Sequence, residues 1–279
     1  GGPLSLDCSW ITFCGEHQEG VWGGCKKIMI LAFDEEPSSL RGGQELSLKD
    51  ILIGLVQYEK TEVSLAHVRP GDLLAHYQDT GVRCFQVPRF SIQRKFSVGQ
   101  WKEVFDSMSR IAREEPTVIY CNQIADTPVG ALLKCSHRVN RLVCHLRLPP
   151  PETRQLNQIG LSARKVDRFI VANLNMKEAW SNWGIEAKRI SIVPNAFVID
   201  DYQALSYEGP KNDILRIGYL GRIAESKGVH VAIESVAKLN QSGHRCHLYI
   251  GGKPFPEGES VYLERLNRLI REFNIADCV

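Results

Sequence analysis

Apolar positions fall in short continuous runs separated by segments with helical spacing, and the alternation repeats along the chain. The first run, Lys27-Ile28-Met29-Ile30-Leu31-Ala32-Phe33, is uninterrupted after Lys27, the pattern of a strand buried on both faces of a parallel sheet. A loop ending in Gly42-Gly43 follows. A helix then starts near Gln44, with Leu46, Leu48, Ile51, Leu52 and Leu55 expected to face inward. Further strands are predicted at 62–68, 82–87, 117–120, 141–145, 168–172 and 189–193, and helices at 98–113, 127–138 and 175–183. Strands alternating with helices predict an α/β protein whose mostly parallel sheet is covered on both faces.

The pattern is interrupted after Val193 by Pro194-Asn195 and then by the polar stretch 206–213, which holds Gly209-Pro210. This places a domain boundary there: a Rossmann-like domain over 27–205, a linker over 206–213 and a second Rossmann-like domain over 214–279. In the second, a buried strand from Ile214 enters a glycine turn. A helix over 229–240 carries Val229, Ile233, Val236, Ala237 and Leu239 on one stripe; a strand over 247–250 and a helix over 261–273 follow. Two strands and two helices do not cover both faces of a doubly wound domain, so this domain is expected to be unusually small or incomplete. Residues 1–26 are glycine-rich and aperiodic, and the first methionine is Met29; they are expected to be a poorly ordered extension, whether native or not.

Composition narrows the function classes. With 43% hydrophobic and 24% charged residues the chain reads as globular, and a net charge of +2 gives no field for nucleic acid. No apolar run is long enough to span a membrane. The nine cysteines lack close pairing, which fits a reducing, cytoplasmic setting. Cys8, Cys14 and Cys25 near His17 do not match zinc-ligand spacing, so no metal site is expected. Between Lys134 and Arg168 the chain carries Lys134, Arg138, Arg141, Arg147, Arg154, Arg164, Lys165 and Arg168 against Glu152 and Asp167; such a run is ordinarily a solvated face, and alternatively meets an anionic membrane surface peripherally.

The candidate chemistry lies where strands end. Leu215 to Gly228 reads as a strand, a turn and a helix start: Gly221 and Gly228 free the backbone, Arg222 and Lys227 supply two cations, and a helix N-terminus favours an anion. Gly42 and Gly43 form a similar turn after the first strand, without the Gly-x-Gly-x-x-Gly spacing of a dinucleotide site, so no cofactor is expected. Asn122 and His145 close two strands of the first domain. From position alone, His145 reads more readily as a satisfied core histidine, the commoner fate of a lone histidine.

In this order the pieces resemble the retaining glycosyltransferases of family 4, with the GT-B fold of two Rossmann-like domains, from about Lys27 to Val279. Gly42-Gly43 matches the family's glycine loop, His145 the histidine that ends its fifth strand, and Thr117 to Asn122 the strand ending in His-x-His or His-x-Asn, with Tyr120 in the place of the first histidine. Ile190 to Asn195 resembles the Val-Ile-Pro-Asn-Gly segment, with Ala196 for glycine and Val198 for the following aspartate. Gly221-Arg222 and Lys227-Gly228 match the donor diphosphate motif, and Gly251 to Pro254 the Gly-x-Gly-Pro turn, with Lys253 at the second glycine. The resemblance implies metal-independent transfer of a sugar from a UDP-, GDP- or ADP-sugar to a hydroxyl of a sugar, glycan or glycolipid, with retention. Arg222 and Lys227 would hold the diphosphate, Gly42 and Gly43 would complete its cradle, and His145 and Asn122 would stand at the reacting sugar and acceptor. The family's paired-glutamate segment has no counterpart after Gly228; Glu264 and Glu272 share its spacing but lie on the helix before it. That departure implies a truncated second domain and leaves open a non-catalytic two-domain binding or scaffold protein. A nucleotide-sugar epimerase of similar architecture is a third reading, without a motif of its own.

Overall fold

The computed structural model describes residues 28–90, 97–136, 138–151, 159–195, 214–254 and 259–279. It divides into two units, Gly1–Asp201 and Tyr202–Val279. The extension 1–26, the linker 206–213, Arg154, Ala196 and Val198 lie outside the described residues, as do Cys8, Cys14, His17 and Cys25.

The first unit is built on strands β1 (Met29–Asp34), β2 (Glu62–His67), β3 (Arg83–Gln86), β4 (Val118–Cys121), β5 (Arg141–His145), β6 (Arg168–Val171) and β7 (Ile190–Ile192). All pair in parallel, in the order β3-β2-β1-β4-β5-β6-β7. Strand β1 is buried at every residue, and its side chains alternate between two cores. Leu31 and Phe33 enter one, with Val104, Ile111, Val129, Leu142 and Trp180; Ile30 and Ala32 enter the other, with Leu48, Leu52, Tyr77, Tyr120 and Val143. Each such buried aliphatic or aromatic side chain stabilises the fold by about 1.5–3 kcal/mol.

The covering helices are α1 (Gly43–Gln57), α2 (Leu74–Asp79), α3 (Val98–Arg113), α4 (Thr127–Cys135), α5 (Ile159–Ala163) and α6 (Leu174–Trp183). Helix α3 begins where its sequence dictates: Ser97 Oγ accepts from Gln100 N, and Gln100 Oε1 accepts from Ser97 N, a reciprocal cap. Helix α4 ends at Cys135, short of the expected 138. Leu46 was expected inward but is 38% exposed. The buried stripe of α1 is Glu45, Leu48, Leu52 and Leu55, so a carboxylate holds the first inward position and Leu46 is rotated to solvent.

The second unit comprises β8 (Leu215–Leu220), β9 (Cys246–Gly251), α7 (Val229–Gln241) and α8 (Glu259–Glu272), with β8 and β9 parallel. Val229, Ile233, Val236 and Ala237 of α7 pack with Cys246, Leu248 and Leu266. The strand expected to be buried is not: β8 alternates between half-buried and exposed residues, and Leu220 is 92% exposed. Both helices contribute to one core against Ile217, Tyr219, Leu248 and Ile250, which leaves Leu220 and Tyr249 exposed among the described residues.

Candidate functional site

In the first unit the chain leaves β3 at one edge and returns as β4 on the other side of β1, so the strand order reverses between β1 and β4. Open parallel sheets bind ligands outside the carboxyl ends of their strands at such a point. Three neighbouring strands deliver side chains there: Asp34 from β1, Asn122 just after β4, and His145 with Arg147 from the end of β5.

The loop from Asp34 to Gly42 is fastened to the segment after β2. Ser39 donates through N and Oγ to Asp72, at 2.9 and 2.5 Å, and those bonds lower the Asp72 carboxyl to about 2. Arg69 Nε reaches Glu36 at 2.9 Å, and Leu73 N donates to Pro37 O at 3.0 Å. Gly42 then turns the chain with φ 135° and ψ −158°, a conformation that favours glycine, and it precedes α1 without a side-chain cap. Gly43 needs no such freedom, but nothing lies within 4 Å of where a Cβ would stand. The first turn of α1 is therefore open to a ligand's approach.

Arg147 fastens this region to β4. Its Nε donates to Asn122 Oδ1 at 3.1 Å and its Nη1 to Ser47 Oγ of α1 at 2.7 Å, while Nη2 is buried without a hydrogen-bond partner. His145 is 2% exposed; its Nδ1 is 2.7 Å from the Tyr120 hydroxyl and its buried Nε2 has no partner. Burial, reinforced by Arg147, lowers the His145 pKa to about 3, so the imidazole is neutral.

Two buried carboxyls complete the region. Asp34 accepts from Glu36 N at 3.2 Å with one oxygen while the other has no partner; burial, with the charge of Glu45, raises its pKa to about 6. Asp126, 1% exposed, accepts from Gln123 Nε2 at 3.2 Å, and burial raises it to about 8. A carboxyl raised in this way holds its proton better in the folded chain. Its contribution to stability is full below the ordinary value of 3.8 and is lost as the pH rises towards about 8. Asp126→Asn is thus expected to raise the melting temperature more at about pH 8 than at about pH 5, as read by thermal denaturation at both.

In the second unit β8 ends at Leu220 and the turn Gly221–Ile223 lies against the end of β9. Gly221 N donates to Gly251 O at 3.0 Å and Ile223 N to Lys253 O at 2.9 Å. Arg222 projects from this turn and is exposed, and the Tyr219 hydroxyl donates to its carbonyl at 3.0 Å. A single helical turn, Glu225–Lys227, carries Lys227, also exposed, into Gly228, which has φ 71° and caps α7 through its backbone alone. Arg265 of α8 pairs with Glu225 and secures the turn. His230 N already donates to the Tyr262 hydroxyl at 3.2 Å, so one of the amides at the start of α7 is occupied within the chain. Glu264 and Glu272 are exposed on α8.

The model of "Glycosyltransferase Family 4" matches residues 41–201, more than half of the chain. The protein belongs to Glycosyltransferase Family 4. No curated protein matches it. Among solved structures it is similar to HepE of Anabaena in complex with UDP and glucose, at 20% identity and a TM-score of 0.68, over 90% of this chain and 67% of that one. It is also similar to the lipopolysaccharide outer core galactosyltransferase WaaB, at 15% identity and 0.62, over 90% and 67%. A glycosyltransferase from Rickettsia africae matches at 14% identity and 0.65, over 91% and 67%. The family 4 chain described here therefore has the GT-B fold of these glycosyltransferases and spans about two thirds of their length.

Within the family 4 unit, the structure brings Gly42, Gly43, Asn122 and His145 to neighbouring ends of β1, β4 and β5; in the second unit it gathers Gly221, Arg222, Lys227 and Gly228 on one turn. Sequence reasoning did not find Ser47, Asp34, Asp126 or the bridging role of Arg147. The basic run is also redistributed. Lys134 pairs with Asp167 at 2.5 Å, Arg147 bridges Asn122 and Ser47, and Arg168 donates to the Lys188 carbonyl at 2.5 Å; Arg138, Arg141, Arg164 and Lys165 are exposed.

Proposed function

We propose that this glycosyltransferase moves a hexosyl group from a nucleoside diphosphate sugar to an acceptor hydroxyl with retention, without requiring a metal. The observation that carries this reading is the pair of exposed cations, Arg222 and Lys227, at the two ends of the turn after β8. Breaking the bond between sugar and diphosphate leaves negative charge on the phosphate oxygens. Two cations would match that charge as it develops, the kind of interaction that lowers such a barrier most effectively. Gly221 and Gly228 let the backbone approach the same phosphates; in the first unit, Gly42 and Gly43 leave the first turn of α1 open to an anion. Asn122 and His145 would face the sugar and the acceptor.

The HepE structures hold UDP and UDP-glucose, which supports a uridine donor as the first to try. A thermal-shift panel of the chain with UDP, GDP, ADP and their sugar conjugates is expected to show stabilisation by one base, because a ligand that binds only the folded state raises the melting temperature. If none stabilises, the donor-site reading falls and the non-catalytic binding protein takes its place.

Peripheral contact with an anionic membrane would rest on Arg138, Arg141, Arg164 and Lys165, each such charge contributing about 1 kcal/mol near the surface. Co-sedimentation with vesicles is expected to rise with their anionic lipid content and to fall when Arg164 and Lys165 are replaced by glutamine. Binding indifferent to lipid charge would remove this contact.

A further inference from the structure

Tyr120 and His145 are both buried, and the phenol oxygen lies 2.7 Å from imidazole Nδ1. A hydrogen bond between these atoms can run in either direction, and the direction decides which ring nitrogen carries the proton. Geometry selects one of them: among the described residues the buried phenol has no acceptor other than Nδ1, so an N–H donated from Nδ1 would leave the phenol's own proton unsatisfied, whereas an O–H donated to Nδ1 is satisfied. Burial also raises the phenol's pKa, so the hydroxyl keeps its proton.

We propose that Tyr120 is a positioning residue that donates to His145 Nδ1 and holds the imidazole as the Nε2–H tautomer, so that His145 serves as a hydrogen-bond donor to a ligand oxygen and not as a base. The unpartnered Nε2 is the atom this arrangement leaves for the ligand. A sugar hydroxyl is the group of matching chemistry. The donor role rests on the sugar-transfer reading above; the tautomer does not.

The test is a long-range proton–nitrogen correlation spectrum of the full chain with nitrogen-15-labelled histidine, in which His145→Gln identifies the resonance. Wild type is expected to show the Nε2–H pattern at His145, and Tyr120→Phe is expected to shift it towards the Nδ1–H form or a mixture. An Nδ1–H pattern in wild type overturns the proposal, and this arm needs no variant to fold. So does an unchanged pattern in a folded Tyr120→Phe protein. The nucleotide panel on the same samples separates the two readings: an Nε2–H pattern with no nucleotide binding would remove the donor role while leaving the tautomer in place.

Discussion

Gly252→Ala is expected to destabilise the second unit by about 2–4 kcal/mol, among the largest effects of any single methyl group in this chain. Gly252 has φ 155°, and a Cβ there would stand 1.8 Å from Gly221 O and 2.9 Å from Gly221 C. Those atoms are backbone, so no rotamer change relieves the clash. The turn that carries Arg222 would have to leave the end of β9, breaking the bonds from Gly221 N to Gly251 O and from Ile223 N to Lys253 O. Gly243→Ala supplies the control: φ is 86° there but nothing lies within 4 Å, so it bears the backbone strain without the collision, at about 1 kcal/mol. Urea unfolding of the two variants measures the difference. Equal stabilities would mean that the two turns are not in close contact.

Arg222→Ala and Lys227→Ala are each expected to weaken binding of a nucleoside diphosphate by about 10-fold to 100-fold, as hydrogen bonds to charged groups contribute about 1.5–3 kcal/mol. The double variant is expected to lose at least the larger of the two. Titration calorimetry at two ionic strengths checks the cause, because a phosphate held by exposed cations loses affinity as salt screens it. The parent nucleoside, with no phosphate, should bind wild type and variants alike. Unchanged diphosphate affinity in both single variants would remove the proposed role of this turn.

The sheet was legible in the sequence because most strands of the first unit are short, largely apolar runs bounded by polar or glycine-rich residues; β1 and β5 show this most plainly. Helix α3 was legible to the residue because Ser97 and Gln100 cap it. Helices α2 and α5 were missed: with six and five residues they are too short to display a period. The exposure of β8 was missed for another reason. An apolar run shows that a strand can be buried, but whether two faces are covered depends on where α7 and α8 pack. The candidate site divides in the same way. Gly42, Gly228 and the two cations announce themselves locally, by residue type and spacing. Arg147 does not, because its role is defined by Ser47, a hundred positions earlier, and by Asn122. Leu48, Leu52 and Leu55 of the α1 stripe were legible, but Leu46 was expected at the first inward position that Glu45 holds, and with Glu45 went the electrostatic setting of Asp34.

The sheet order has a consequence for biosynthesis. Strand β1 is interior to the sheet, but its two neighbours are not equally near in the chain: β2 follows after one helix, whereas the side facing β4 joins positions as far apart as Met29 and Thr117, 88 residues on, where the Thr117 hydroxyl meets both backbone groups of Met29. A ribosome adding about 5–20 residues per second exposes one unpaired edge of β1, a strand apolar at every residue but Asp34, for seconds before β4 emerges. During that interval the edge is open to pairing with another nascent chain. The architecture that sets the candidate site beside β1 thus also makes β1 an expected client for chaperones during synthesis.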